Sequence, residues 1–231
     1  MDTTDGLPET AEAAEAAGAA GAEGLRERKK RQTRAALSQA TIALSVRRGW
    51  DDVRIEDIAA AVNVSERTFR NYFSSKAEAV AATHLDRMLR VTRRLEARPA
   101  DEPLWESIRT SVQAEFAPEP PEGSPPVDSA GVKRHTEAIW KVLSEPAVQG
   151  EVMRADLEAQ VLLAAAIGAR TGTDPQADLY PKLVAASVGA AIGTALTHWL
   201  RADPPVPLGP LISEVLEQLT AGLPAPARGG S

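Results

Sequence analysis

The feature that most constrains the fold is a pair of short helical patterns, joined by only four residues, within positions 55–73. The first pattern repeats apolar residues at the spacing of one helix face: Ile55, Ile58, Ala59 and Val62. In the joining turn, Asn63 tolerates the left-handed conformation of a helix end, and Ser65 is a preferred N-cap. Val64 and Phe69 flank that cap at the spacing of a hydrophobic staple. The sequence therefore predicts two short helices held at a fixed angle.

The second short helix presents a polar face with a specific composition. Phe69 and Phe73 are four residues apart and are predicted to face inward. The outward face then consists of Arg67, Thr68, Arg70 and Asn71. Arginine and asparagine match the guanine and adenine edges in a DNA major groove, whereas a solvated helix face is the alternative interpretation. Ser75 and Glu78 have the spacing of a capping box for the next helix.

The net charge of -6 conceals a segregation of charge along the chain. Residues 25–98 contain seventeen Lys or Arg against nine Asp or Glu, whereas residues 99–231 contain nine against seventeen. A basic stretch on an acidic chain indicates that one part contacts a polyanion. Within it, the basic run 26–34 is either a solubilising helix start or an electrostatic arm against DNA.

Residues 53–80 resemble the DNA-binding signature of the tetracycline-repressor (TetR) family. The matching residues are Glu56-Asp57-Ile58-Ala59, Val64-Ser65, Thr68-Phe69, Asn71-Tyr72-Phe73 and Ser75-Lys76. The resemblance implies a three-helix DNA-binding head, a long fourth helix leading into a body, a homodimer, and release from an operator controlled by a ligand. It also implies that Tyr72 and Lys76 contact DNA phosphates. Beyond residue 80 the resemblance is limited to helical content and length.

Two residues depart from the family pattern. The family usually has Thr or Ser at the position of Arg54, and Tyr at the position of Arg70. Because an arginine side chain cannot accept an amide bond, the cap of the first short helix is lost unless Asp51 or Asp52 replaces it. Both departures add positive charge on the side expected to face DNA, so we predict an altered backbone contact or base preference.

Periodicity and composition divide the chain into four segments and predict an all-α fold. Residues 1–24 lack large apolar side chains and are predicted to be a disordered tail, as are residues 223–231. Residues 25–74 are predicted to form the helix-turn-helix DNA-binding domain, and residues 75–222 a helical-bundle domain for ligand binding and dimerisation. Helices are predicted near 27–48, 55–62, 66–73, 76–97, 103–116, 132–144, 147–170, 177–201 and 208–221, with a Pro-rich loop at 117–131.

The residue inventory argues against an enzyme or a metalloprotein. The absence of cysteine excludes disulfides, thiolate catalysis and cysteine-ligated metals. His84, His135 and His198 are too far apart in sequence to show a metal-ligand spacing. No pair of carboxylates is marked out for acid–base catalysis. We therefore expect no enzymatic activity, no metal and no cofactor.

Nothing at the N-terminus resembles a signal peptide, so a cytoplasmic protein is expected. Residues 183–200 contain no charged residue and approach the length of a membrane span. Ten of these residues are Ala, Gly, Ser or Thr, which lowers their hydropathy. We therefore expect a helix buried against a partner chain.

The helix near 177–201 has a face of small residues beside an apolar row, which would allow close approach of a second helix. Together with the helix near 208–221 it is predicted to form an intermolecular four-helix bundle, with ordinary packing within one chain as the alternative. The residues predicted at this dimer interface are Gly189, Ile192, Gly193, Leu196 and Val215.

The body is also expected to hold an effector pocket. Its predicted lining residues are Trp105, Phe116, Trp140 and Met153, which would suit a small apolar or aromatic molecule. The same residue types are equally typical of a packed core. The alternative function is therefore a DNA-binding protein without a small-molecule effector, controlled by a protein partner or purely architectural.

Overall fold

The computed structural model describes residues 9–116 and 129–224, with side chains described over 26–116 and 130–224, and these residues form helices without a strand. The helices are α1 (Glu9–Arg48), α2 (Ile55–Ala61), α3 (Glu66–Arg70), α4 (Lys76–Glu96), α5 (Leu104–Phe116), α6 (Ser129–Leu143), α7 (Pro146–Thr171), α8 (Leu179–Arg201) and α9 (Leu208–Thr220). The predicted all-α fold is thus confirmed.

The structure describes only parts of the predicted tails and of the predicted Pro-rich loop. α1 begins at Glu9, within the segment for which a tail is predicted, but the side chains before residue 26 lie outside the described residues. Most of the predicted loop at 117–131 and of the predicted tail at 223–231 also lies outside them. All three segment assignments remain predictions.

The N-terminal helices share one small core, which defines the head of the molecule. It comprises α1 to α3 and the first turns of α4, and its buried residues are Leu37, Leu44, Val53, Ile58, Phe69, Phe73, Ala79 and Ala82. Because the two phenylalanines are fully buried between α1 and α4, the short helices α2 and α3 are fixed by tertiary packing rather than by helix propensity.

The rest of the chain forms a body around a second, larger core. α4 and α7 pack along each other, α8 packs on α7, and α9 lies against both α8 and α5. Its buried residues include Met88, Val91 and Leu95 of α4 together with Ile167 of α7 and Ile192 of α8. The single helix α4 therefore contributes to both cores and connects head to body.

A third cluster links the end of α1 to the body. Ala77 and Val80 of α4 pack against Val142 at the end of α6 and Val148 at the start of α7, with Trp50 at the edge. The orientation of the head thus depends on a contact with α6 as well as on the continuity of α4.

Arg170, at the end of α7, joins the body to the connection between α4 and α5. Its guanidinium donates to the carbonyl oxygens of Leu95, Arg98, Pro99 and Glu102 and to the hydroxyl of Ser107, at 2.8–3.4 Å. The Leu95 carbonyl, in the last turn of α4, also accepts from the Arg98 amide, and the Pro99 carbonyl also accepts from the Glu102 amide. One side chain therefore ties together the carbonyl groups of the α4–α5 connection, two of which have a backbone donor as well.

Glu102, in the same connection, accepts hydrogen bonds from Arg98 and Ser107. The Arg98 guanidinium, followed by the Ser107 hydroxyl, lowers the pKa of Glu102 to about 2. A carboxyl group whose pKa is lower in the folded than in the unfolded chain stabilises the fold above the unfolded pKa. This contribution is lost as the pH falls from about 4.5 towards 2.

We expect the Glu102→Gln variant to be less stable than the wild-type chain at pH 7, with the difference in stability shrinking as the pH falls from about 4.5 towards 2, because the unfolded chain and then the folded chain take up the proton on Glu102. Thermal melts of both proteins between pH 7 and pH 2.5 measure this difference. Glu158→Gln, which removes an exposed carboxylate of α7, is the matched control and should follow the wild-type curve. A difference in melting temperature between Glu102→Gln and wild type that stays constant across that range would contradict the lowered pKa assigned to Glu102.

Among the described residues, α8 is the helix that is long and apolar enough to cross a membrane. Val184, Val188 and Ile192 on one of its faces are buried in the body core. Burial of this face is the arrangement of a core helix, so the length and composition of α8 are accounted for by the fold.

Candidate nucleic-acid interface

The turn between α2 and α3 has the geometry that its sequence predicts. Asn63 has a φ of 57°, the left-handed conformation that ends α2. The Ser65 hydroxyl accepts a hydrogen bond from the amide of Thr68 at 3.1 Å and caps α3. Val64 is half-buried against the head core, to which Phe69 belongs, as the predicted staple requires.

α3 ends at Arg70, earlier than the predicted 73, yet the buried and exposed residues of α3 and of the turn after it separate as predicted. The rings of Phe69 and Phe73 are buried with their centroids 5.7 Å apart, whereas Arg67, Arg70 and Asn71 are exposed. Arg70 lies 3.9 Å from Glu66, and with both side chains at least half exposed this pair leaves the guanidinium free to move. Three groups that can bind bases therefore share one solvent-facing surface.

Thr68 differs from these three residues. It is half-buried, and its hydroxyl lies 2.9 Å from the hydroxyl of the capping Ser65. Thr68 is thus part of the cap, and its methyl and hydroxyl groups lie at the margin of the exposed surface.

The cap of α2 is made by a residue that the sequence analysis missed. Arg54 occupies the N-cap position without a side-chain cap bond, and Asp57, three residues later, accepts the Arg54 amide at 2.9 Å. Of the two outcomes that the sequence left open, loss of the side-chain cap is the one observed, and the bond at this helix start comes from Asp57 rather than from Asp51 or Asp52. This backbone hydrogen bond, assisted by Arg48, holds the pKa of the Asp57 carboxyl below its usual value. The signal was in the sequence, because an acid at the third helical position is the reciprocal half of a capping box.

With its backbone fixed in this way, the Arg54 guanidinium remains on the surface. Its side chain is 80% exposed and lies 3.5 Å from Glu56. An exposed arginine at the N-terminal end of α2 is free to contact a phosphate.

The start of α4 also has a cap, with one difference from the predicted pattern. Ser75 accepts a hydrogen bond from the Glu78 amide at 3.0 Å. The Glu78 carboxylate, however, accepts from the amide and hydroxyl of Ser74 rather than from Ser75. The cap therefore ties the α3–α4 connection to the first turn of α4.

Lys76 has contacts within the head that the sequence analysis missed. Its ammonium group donates to the carbonyl oxygens of Trp50 and Val53 and lies 4.2 Å from the centre of the Trp50 ring. Burial lowers the pKa of Lys76, opposed by the nearby carboxylates of Asp51 and Glu145. Lys76 thus links the α1–α2 connection to α4, in addition to the phosphate contact predicted for it.

The remaining predicted DNA contacts lie around this surface. Tyr72 is half-buried and packs against the head core, with its ring beside Phe73. Residues 26–31 are exposed, and they belong to the continuous helix α1. The basic run therefore lies in a helix, and its contact with DNA remains a prediction.

The structure separates the residues predicted to line a common effector pocket. Phe116 is buried in the body core and Trp105 packs against its edge. Trp140 lies elsewhere, beneath the guanidinium of Arg201, and Met153 is 69% exposed on α7. Met153 was therefore misassigned to the interior, because helical periodicity gives a stripe without saying what covers it.

The residues predicted at the dimer interface also lie in different environments. Ile192 is buried within its own chain, and Leu196 and Val215 pack against the same core. Ile192 therefore has no surface left for a partner, whereas the assignment of the half-buried Leu196 and Val215 to the dimer interface remains a prediction. Gly189 is half-buried beside Asp156 and Gln160, whereas Gly193 is exposed, with open space where a side chain would stand.

The surface that the sequence analysis missed lies on α7 and at the start of α8. Its exposed large apolar side chains are Met153, Leu157, Val161, Leu162, Leu179, Tyr180 and Leu183. In the described part of the chain, by contrast, no group of His, Asp or Glu side chains is arranged to hold a metal ion.

Two segments of the chain match known protein families. Residues 37–83 match bacterial regulatory proteins of the tetR family. Residues 102–224 match the family described as the MftR C-terminal domain. The first match covers the head described above, and the second covers most of the body.

Two regulators are similar to this chain over most of its length. The HTH-type transcriptional regulator TcmR of Streptomyces glaucescens is 33% identical over 175 residues, which are 74% of this chain and 75% of that protein. The putative mycofactocin biosynthesis transcriptional regulator MftR of Mycobacterium tuberculosis is 25% identical over 191 residues, 81% of this chain and 89% of that protein.

A solved structure with the same fold is that of Thermus thermophilus FadR, a TetR-family transcriptional repressor, in complex with lauroyl-CoA. It superposes with a TM-score of 0.52 at 19% identity and covers 85% of this chain and 100% of FadR. At this identity the likeness establishes a common fold.

Proposed function

Because this chain belongs to the TetR family of bacterial regulatory proteins, and is thus a DNA-binding transcriptional regulator, we propose that it acts as a homodimeric repressor on a palindromic operator. In this proposal a small molecule releases the protein from DNA. A cytoplasmic location, where chromosomal DNA is accessible, follows from the same proposal.

The observation that supports operator binding most strongly is the solvent-facing surface of α3. Arg67, Arg70 and Asn71 are all exposed on it, while the opposite face is locked into the head core by two buried rings. A rigid helix with free arginine and asparagine side chains suits the major groove. Around it, Thr68 would complete the base-reading surface, and Arg54, Tyr72, Lys76 and the basic run of α1 would contact phosphates.

The exposed apolar surface of α7 and α8 supports the homodimer. Met153, Leu157 and Val161 recur every four residues on α7, and each is at least 60% exposed. Contiguous apolar patches of this kind mark association surfaces. We therefore propose that α7 and α8 of two protomers form a four-helix bundle about a twofold axis. In this arrangement Gly193 lies in the interface, and α7 rather than α9 accompanies α8.

The coupling of a ligand to DNA release would pass through α4. This helix contributes Ala79 and Ala82 to the head core and Met88, Val91 and Leu95 to the body core. A ligand that prefers one spacing of the two heads a hundredfold would shift the equilibrium by about 2.7 kcal/mol. The alternative function, DNA binding without a small effector, is favoured by the dispersal of the predicted pocket residues.

We expect the Arg70→Ala variant to lose discrimination at one base position of each half-site, at a cost of about 1–3 kcal/mol, because a bidentate contact to one base would be removed. The measurement compares the sequences selected from random DNA by the variant and by the wild-type chain.

Arg93→Ala, which removes an exposed arginine from the body part of α4, serves as the control and should leave the consensus unchanged. An Arg70→Ala consensus identical to that of the wild type would exclude Arg70 from base recognition.

A further inference from the structure

A groove runs between head and body, and we call it the junction groove. One wall is the end of α1 with the turn that follows, and the other is the end of α6. Its volume is about 600 Å³, and residues on its walls include Ser45, Arg47, Trp50, Trp140, Lys141 and Ser144. A groove of this volume has the size of a small-molecule site.

Two hydroxyl groups beneath this groove have no hydrogen-bond partner among the described residues. The Ser45 side chain is almost fully buried, at 2% exposure, and its Oγ is unpaired. The Oγ of Ser144, from the opposite wall, is also buried and unpaired. Since buried polar groups in proteins are nearly always hydrogen-bonded, two such hydroxyls in one groove point to an acceptor that enters it.

The charges around the groove indicate which kind of hydrogen-bond acceptor the ligand carries. Its two carboxylates, Asp51 and Glu145, both interact with the Lys76 ammonium. Arg47 in the head wall and Lys141 in the body wall have no carboxylate within ion-pair distance among the described residues. With Arg48 paired to Asp57, the groove together with Lys76 holds three cations against two carboxylates. The net charge is therefore positive, with Arg47 and Lys141 on opposite walls, and favours an anion.

The aromatic side chains of the groove indicate the chemistry of the rest of the ligand. Trp50 and Trp140 supply one indole from each wall. A cation lies over each ring, Lys76 at 4.2 Å from that of Trp50 and Arg201 at 5.4 Å from that of Trp140. Indole rings favour a planar aromatic partner, which can stack on them, over a flexible aliphatic chain.

From these observations we propose that the junction groove binds a small aromatic carboxylate, with its ring between the two indoles and its carboxylate at the Ser45 and Ser144 hydroxyls. Lys141 and Arg47 attract the charge from the rim. The covering side chains must part for the carboxylate to reach the hydroxyls, so occupancy separates the end of α1 from the end of α6.

Because the groove lies between head and body, ligand binding there affects the orientation of the head. The cluster formed by Ala77, Val80, Val142 and Val148 lies at the same head–body contact. A ligand that separates the two walls alters the orientation of the head on the body, and hence the spacing of two heads in a dimer. This consequence rests on the proposed function, whereas binding in the groove does not.

The test uses 1-naphthoate as the anionic probe and 1-naphthamide as its uncharged counterpart, without DNA. The chain has no cysteine, so a single Ala138→Cys substitution in the groove can be labelled with a thiol reagent, with Ala114→Cys on the exposed face of α5 as the control. We expect saturable protection of Cys at 138 by naphthoate, none by naphthamide, and no protection at 114. Equal labelling rates at 138 with and without naphthoate would overturn the proposal.

Variants of the wild-type chain give an independent measurement, with naphthoate binding followed by tryptophan fluorescence. Lys141→Gln should weaken binding about tenfold, because the rim cation that attracts the carboxylate is lost, and Ser144→Ala should weaken it severalfold, because a hydroxyl donor to the carboxylate is lost. Lys141 is exposed, so the melting temperature should not change. Unchanged affinity in both variants would overturn the site.

Operator binding is measured separately, without ligand. A chain that binds naphthoate in the groove but no DNA would refute the proposed function and leave the site standing. A chain that binds DNA but not naphthoate would refute the site and leave the proposed function standing.

Discussion

A Gly193→Arg variant is expected to elute as a monomer and to bind the operator at least a hundredfold more weakly than the wild-type chain. Gly193 is exposed on α8, and nothing lies within 4 Å of the position where its Cβ would stand. The substitution is therefore compatible with the fold of one protomer. In the proposed dimer it places a charged, bulky side chain where two helices approach closely.

The large expected loss of DNA-binding affinity follows from the linkage of two heads in one dimer. In a dimer the second half-site is bound intramolecularly, which strengthens overall binding by a factor of about 10² to 10⁴. Sedimentation measures the assembly state, and fluorescence anisotropy of labelled duplex measures the affinity. Ala114→Arg, a matched change on the exposed face of α5, should remain dimeric with normal affinity. A dimeric Gly193→Arg protein with wild-type affinity would rule out this face.

An Arg170→Met variant is expected to lose about 3 kcal/mol of unfolding free energy, with its melting temperature lowered by roughly 10 °C. Arg170 donates to four carbonyl oxygens and one hydroxyl at the α4–α5 connection. Methionine retains much of the apolar stem but none of the donors, so the carbonyl groups of Arg98 and Glu102 and the Ser107 hydroxyl lose this donor, whereas the carbonyl groups of Leu95 and Pro99 keep a backbone donor.

Arg154→Met is the control on the same helix, because Arg154 is 67% exposed and, among the described residues, pairs with Glu151 three residues away. It should change the unfolding free energy by about 0.5 kcal/mol or less. Equal destabilisation by the two substitutions, measured by urea unfolding, would show that the acceptors around Arg170 do not depend on its guanidinium.

The head was predictable from the sequence because its determinants are local. Asn63, Ser65, Val64 and Phe69 lie within seven residues, and each acts on a neighbour through a cap, a turn or a staple. Even the missed cap of α2 was encoded locally, in the spacing of Asp57 from Arg54. The contacts of Lys76 with Trp50 and Val53 were not, because they join residues more than twenty positions apart.

The body was predictable only as a set of helices. Periodicity gives each helix an apolar stripe but cannot tell whether another helix of the same chain covers it. Ile192 and Leu157 both belong to apolar stripes, yet Ile192 is covered by its own protomer and Leu157 is 60% exposed. The effector residues were misjudged for the same reason, since Phe116 and Met153 have opposite environments. The junction groove depends on the approach of α1 to α6, which no local pattern encodes.

The central claim, that two identical heads recognise DNA together, is tested most directly by the DNA that the purified wild-type protein selects from a random pool. The account predicts a consensus of two inverted half-sites whose centres lie about one helical turn, or a small multiple of it, apart. A consensus without twofold symmetry, or no enrichment of any sequence, would contradict it.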